Sequence, residues 1–349
     1  MRTIDIHAHL VPQSLWHTVA SGREWYGTRL EPGDGLGSTV TNGKRFRINT
    51  PKVRFTPEER LADMDAQGVD VQVLSIHMTL VSYHLDATQG RQLAREVNDE
   101  IAALARQWPH RFAGLATLPA QDVGAAIDEL DRAVNVLGLK GAELDTEVNS
   151  DNWDDPRFLP LFQAAETMGA VLFFHPQPHH NLILQRTSRY ALANSLGVIV
   201  EDTLIVAILI FGGILDACPD LKVCIAHGGG LACFGMGRLD HGWRVRTEAR
   251  EHIAKPPSSY QRRLHYDCVV GSEAALRFLI DRVGADRVVL GSDWPFVRWD
   301  PSPVAWIEGL QSLHQEEKDK ILWQNTTQLL GLGQKAGSPT ARREGLLNN

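Results

Sequence analysis

Cysteine is scarce in this chain. Cys218, Cys224, Cys233 and Cys268 are the four in 349 residues, and no two form a CxxC pair. A chain of this length needs no disulfide staples, so free buried thiols in a reducing cytoplasm are expected. Excess positive charge is also missing. Lys and Arg total 35 against 42 Asp and Glu, a net charge of −7, so no basic patch recommends a nucleic-acid partner. The longest apolar stretch, residues 204–215, is too short to cross a bilayer and contains Gly212 and Gly213. It reads as a buried helix, and no signal-peptide pattern precedes the first strand, so no membrane association is expected. Aromatic residues make up 7%, and the nine Trp are scattered, which suits packing better than a stacking platform. There is no GxGxxG after the first strand, no P-loop and no internal repeat.

What is present is an alternation. Strand-like segments occur at residues 3–8, 70–76, 112–116, 141–144, 170–174, 222–226, 264–267 and 287–290. Helix-like segments follow at about 57–67, 89–108, 123–137, 157–168, 199–218, from 230, at 272–283 and at 303–313. Thr56 ahead of Pro57, and Asp122, are good N-caps. Eight βα units predict an α/β fold, a (β/α)8 TIM barrel, with an open doubly wound sheet as the alternative. Residues 14–52 break the alternation and read as a small β-rich insertion after strand one. A hairpin turn is expected at Asn42-Gly43. Residues 1–333 are expected to form a single barrel, and 334–349 a flexible tail.

Chemistry is concentrated where strands end. His7-Ala8-His9 closes strand one, and alternate strand residues share a face, so both imidazoles point one way. Alone, a hydrogen-bonded pair would explain them as well. His175 ends strand five, His227 ends strand six, and Asp293 follows strand eight. In a barrel all five meet at the C-terminal mouth, where activity resides. Histidines with one carboxylate suit a divalent ion, Zn²⁺ first, with Fe²⁺, Co²⁺ or Mn²⁺ also fitting. A second ion would need a bridging group, often a lysine at the end of strand four. Lys140 lies at its start, so one metal ion is expected.

These motifs carry a resemblance. Asp5-Ile6-His7-Ala8-His9, His175-Pro176, Ala226-His227-Gly228-Gly229-Gly230 and Gly291-Ser292-Asp293-Trp294-Pro295-Phe296 resemble the amidohydrolase superfamily. Within it they look most like the branch of 2-amino-3-carboxymuconate 6-semialdehyde decarboxylase. Residues 59–69, 235–238 and 286–288 extend the match, which covers about 3–332. The resemblance implies that His7, His9, His175 and Asp293 are metal ligands, Asp293 also having a catalytic role. It implies that His227 is the acid/base beside the metal-activated water. It makes Arg47 a substrate-carboxylate contact and Arg238 a second arginine, donated across a homodimer into the neighbouring site. Arginine forks suit carboxylates. Trp294 and Phe296 are expected to touch substrate as well.

Two departures stand out. Gln177 occupies a place where the family has tryptophan, and His77 at the end of strand two is also unlike the pattern. Both are expected at the mouth, so the chemistry is kept and the substrate changed. The expected activity is metal-dependent, non-oxidative decarboxylation of an unsaturated or aromatic carboxylic acid, of the carboxymuconate semialdehyde or hydroxybenzoate type. A metal-dependent hydrolase of a lactone, amide or C–C bond, or a hydratase, would use the same groups. A binding-only metal protein would not need His227 beside the ion.

Overall fold

The computed structural model describes residues 2–33, 35–178 and 182–332. His179, His180 and the segment 334–349 lie outside the described residues. In chain order the strands are β1 (Ile4–Leu10), β2 (Thr28–Glu31), β3 (Ser38–Thr41), β4 (Lys44–Arg47), β5 (Val71–Ile76) and β6 (Phe112–Gly114). They continue with β7 (Gly141–Leu144), β8 (Val171–Phe174), β9 (Lys222–Ile225), β10 (His265–Asp267) and β11 (Val288–Val289).

Eight of these are parallel and form a closed ring. One run pairs β1, β5 and β6, and the other pairs β7 through β11 in sequence order. Backbone bonds close both seams. Ala116 N donates to Gly141 O at 2.8 Å, and Ile6 N donates to Leu290 O at 2.9 Å. The expected barrel is therefore present. Every residue of β1, β5, β7 and β8 is buried, as strands covered on both faces require. Ile4, Ile6, Val73, Phe173, Ala226 and Val289 pack in one interior cluster, while Leu74, Phe174 and Ile225 join the shell against the helices.

The helices form where local chemistry starts and stops them. Thr56 and Glu59 make a reciprocal capping box ahead of helix Pro57–Gln67, and Gly68 ends it with φ 73°. Asp122 and Ser272 cap Val123–Asp131 and Glu273–Val283 one-sidedly, each side chain accepting from the backbone N–H three residues on. Residues 193–211 form one continuous helical stretch with the length and apolarity of a membrane span. Half of its most apolar window is buried, and Asp202 lies on it in the protein interior. It is a core helix of the barrel shell.

The insertion contains one element the sequence did not suggest, the helix Gln13–Ala20. The expected hairpin is there: β3 pairs antiparallel with β4, and Asn42 (φ 48°) and Gly43 (φ 73°) make the turn. With β2 they form a three-stranded sheet beside the barrel mouth.

Candidate active site

β1 carries a register shift between Asp5 and Ala8. Ile4 and Ile6 belong to the barrel interior, yet His7 and His9, of opposite parity, also turn inward. Strict alternation would forbid this. A bulge adds one residue and re-aims the side chains beyond it. His7 Nε2 then lies 3.2 Å from His9 Nε2, and His9 Nε2 lies 3.1 Å from Asp293 Oδ1. The rings of His175 and His7 are 4.7 Å apart. One ligand atom from each of His7, His9, His175 and Asp293 falls within 4.8 Å of the others. His175 Nε2 is buried without a hydrogen-bond partner among the described residues. Three imidazoles and a carboxylate converging with one nitrogen left over are a fitting donor set for a divalent ion.

Three of the rings are held from behind. His7 Nδ1 meets Asp267 Oδ2 at 2.6 Å, and His175 Nδ1 meets Pro176 O at 2.9 Å. His227 Nδ1 meets Asp202 Oδ2 at 2.8 Å. Such contacts fix the tautomer and leave Nε2 for the centre. His227 and Asp293 both adopt positive φ, 49° and 54°, a conformation costing about 1–3 kcal/mol for residues with a side chain. The surroundings hold them there. A Cβ on Gly229, two residues after His227, would lie 2.7 Å from the Tyr266 ring, so only glycine fits. Arg60, itself buried, donates to the His9 carbonyl at 2.8 Å and lies 4.0 Å over the Trp294 ring. It ties the first ligand segment to the last.

Charge is unevenly distributed. Burial alone would depress His7, but Asp293 and Asp267 outweigh it and hold the imidazolium well above its usual range. Burial also opposes protonation of His227, and Asp202 more than compensates. His175 is pushed well down by burial and by the neighbouring histidines. Asp293 ionises well below the carboxylate range despite burial, because His7 and His9 face it. Burial lifts Asp202 to about 6 and Glu143 to about 8.

A cavity of about 330 Å³ opens over the cluster, lined by His9, His175, His227, Asp293, His77 and Phe296, with Phe46 and Asn49 from the insertion. Its wall is aromatic. The His77 ring lies 4.4 Å from Phe296 and 4.8 Å from Phe46. His77 and Phe296 thus sit where the sequence placed them. Four others do not reach this cavity. Trp294 is turned away, its indole N–H donating to Asp63 at 2.6 Å. Gln177 lies in an adjoining cleft and donates to Val81 O at 3.3 Å. Arg47 is exposed, because Lys44 and Phe46 take the inward face of β4 and Arg45 and Arg47 the outward one. Arg238 is exposed on helix Ala232–Val245.

Sequence reasoning missed Asp267, Asp202 and Glu143. Asp267 ends strand seven and carried the same positional signal as the ligands. Glu143 lies within strand four, beyond Lys140. Asp202 sits inside an apolar helix and gave no signal.

A closed parallel barrel with a His/Asp cluster and a poised histidine at its mouth defines a class, the metal-dependent enzymes of the (β/α)8 type. The comparisons narrow it. The Amidohydrolase family pattern matches residues 4–332. The 2-amino-3-carboxymuconate-6-semialdehyde decarboxylase of Dictyostelium discoideum is 33% identical, over 94% of this chain and 91% of that one. A gamma-resorcylate decarboxylase of a Polaromonas species is 28% identical, over 79% and 87%. The crystal structure of 5-carboxyvanillate decarboxylase LigW from Sphingomonas paucimobilis superposes with a TM-score of 0.81 at 28% identity, covering 95% of this chain and 99% of that one. This chain belongs to the amidohydrolase family.

Proposed function

We propose that this protein is a metal-dependent, non-oxidative decarboxylase of an unsaturated or aromatic carboxylic acid. The observation that carries the reading is His227, fixed by Asp202 beside four convergent ligand atoms and opening onto an aromatic-walled cavity. The protein is a carboxy-lyase, like the relatives it resembles.

His7, His9, His175 and Asp293 would hold one divalent ion, and we assign Zn²⁺ on the nitrogen and oxygen donors. Bound there, the ion supplies Lewis-acid polarisation of a substrate oxygen and of water. The protein's own part is proton handling and orientation. Asp202 engages His227 Nδ1 and favours the imidazolium, leaving Nε2 for the cavity that the ring lines. His227 delivers that proton to the carbon that loses CO₂. The electron pair of the broken C–C bond stays on that carbon and takes the proton, so the products are CO₂ and the protonated residue of the acid. His77, Phe296 and Phe46 form a mutually tilted aromatic wall that suits edge and face contacts with a conjugated ring or diene.

Arg238 is proposed to serve a neighbouring site in a homodimer. Its helix presents Phe234, 80% exposed, and Leu231 and Val245 also lie open, an apolar face for a second copy. The buried state of all four cysteines supports a reducing, cytoplasmic setting. Metal-replete protein incubated with carboxymuconate semialdehydes and hydroxybenzoates should release CO₂ stoichiometrically with substrate loss. Substrate consumed with water added and no CO₂ would point to a hydrolase or hydratase instead.

A further inference from the structure

Around the ligand cluster, His7, His175 and His227 each have an oxygen within 3 Å of Nδ1. His9 has none at hydrogen-bonding geometry among the described residues, although the Ile76 backbone and the Glu143 carboxylate both face its ring. His9 Nδ1, Ser75 Oγ and both carboxylate oxygens of Glu143 are all buried without a hydrogen-bond partner among the described residues. Unpaired buried polar atoms are costly and uncommon, about 1–3 kcal/mol each. Here they are neighbours. Glu143 Oε1 lies 3.9 Å from His9 Nδ1. Ser75 sits opposite His9 in the β1–β5 register, and its hydroxyl faces the Glu143 carboxylate. Ser75 and Glu143 come from alternate barrel strands, β5 and β7, which contribute to one interior layer.

We infer that Glu143, assisted by Ser75, is the positioning carboxylate for His9. A histidine that ligates through Nε2 keeps its proton on Nδ1, and that N–H needs an acceptor. Glu143 is the acidic side chain facing it, at a distance that a small ring rotation or one bridging water would close. In this arrangement the Ser75 hydroxyl, which faces the carboxylate, would donate to its second oxygen and stop it turning away. With this contact, His7, His9 and His227 all follow one rule, a carboxylate behind each imidazole, supplied by Asp267, Glu143 and Asp202. Glu143 touches no reacting atom. It sets the direction of the His9 lone pair and hence how tightly the ion is kept.

This inference rests on the reading of His9 as a metal ligand, and the test separates the two. Metal content and chelator-competition affinity are measured on purified, metal-loaded wild type, His9→Ala, Glu143→Leu and Glu143→Gln, with thermal unfolding as a check on the fold. Wild type should carry one ion and His9→Ala should lose it; failure here sinks the ligand assignment itself. Glu143→Leu should bind the ion roughly 10–100-fold more weakly, with Glu143→Gln close to wild type because its amide oxygen still accepts. Should Glu143→Leu fail to fold, Ser75→Ala gives the milder readout, a several-fold faster metal loss. Full retention in Glu143→Leu, or in Ser75→Ala where that variant replaces it, overturns the role of Glu143. A loss in Glu143→Gln equal to that in Glu143→Leu also overturns it.

Discussion

Asp202 Oδ2 and His227 Nδ1 lie 2.8 Å apart, although 25 positions separate them in the chain. The carboxylate comes from the second turn of the mostly apolar helix Val198–Phe211, and the imidazole from the turn after β9. Asp202 raises the affinity of His227 for its proton, so removing the charge must lower it. Asp202→Asn should keep its metal and lose roughly 10²-fold in kcat. The limb of the pH–rate profile governed by His227 should move to lower pH. An unchanged profile would remove Asp202 from the proton path.

Lys44 and Arg47 lie on opposite faces of one short strand. Lys44 shares the inward face with Phe46 and lines the cleft with Gln177, where burial pushes its ammonium below the ordinary value. Arg47 is exposed. Lys44→Met should therefore raise KM for a dicarboxylate substrate by about 10-fold, the scale of one charge-assisted hydrogen bond. Arg47→Met should leave it within about two-fold. The reverse ranking from steady-state kinetics would restore Arg47 as the carboxylate contact.

A donated Arg238 makes the active site a property of two chains. Arg238→Ala and His227→Ala should each be nearly inactive alone. Mixed after subunit exchange, they should recover up to roughly a quarter of wild-type activity, because half the dimers are mixed and each has one intact site. Activity of Arg238→Ala alone near the wild-type level would leave the arginine as an ordinary surface charge.

At the other end of the barrel, His265 opens β10 with Nδ1 buried and unpartnered among the described residues. Burial, with Arg287 adding repulsion, pushes its pKa from 6.5 to about 4. The folded state therefore binds this proton less readily than the unfolded chain. Stability from this group is complete above pH 6.5 and declines as pH falls toward 4, by at most roughly 3 kcal/mol. His265→Gln should flatten the drop in Tm between pH 7.5 and 4.5. Parallel pH slopes for the two proteins would show that another group governs the acid response.

Much of this was legible in the primary structure because the relevant signals are local. Hydrophobic runs, caps and glycine stops mark strands and helices within a few residues of each other, and eight such units leave few ways to close a core. A residue among the last of a barrel strand or just past it is carried to the mouth whatever its neighbours are, which is why His7, His9, His175, His227, Asp293, His77 and Phe296 could be placed there. Position relative to a strand end does not fix the side a ring faces once a loop or cleft intervenes. That is where Trp294, Gln177 and Arg47 parted from expectation.

The chain by itself determined the number of βα units, the place of the insertion and the set of histidines and the aspartate that gather at the mouth. Only the tertiary structure decided three further matters: the bulge that turns both His7 and His9 inward past Ile6, the carboxylates Asp267 and Asp202 behind His7 and His227, and the face of β4 that looks into the mouth. The physical reason is that these are relations between distant segments. Strand register, ring orientation and burial are set by what packs opposite, and that partner is hundreds of residues away for His7 and Asp267.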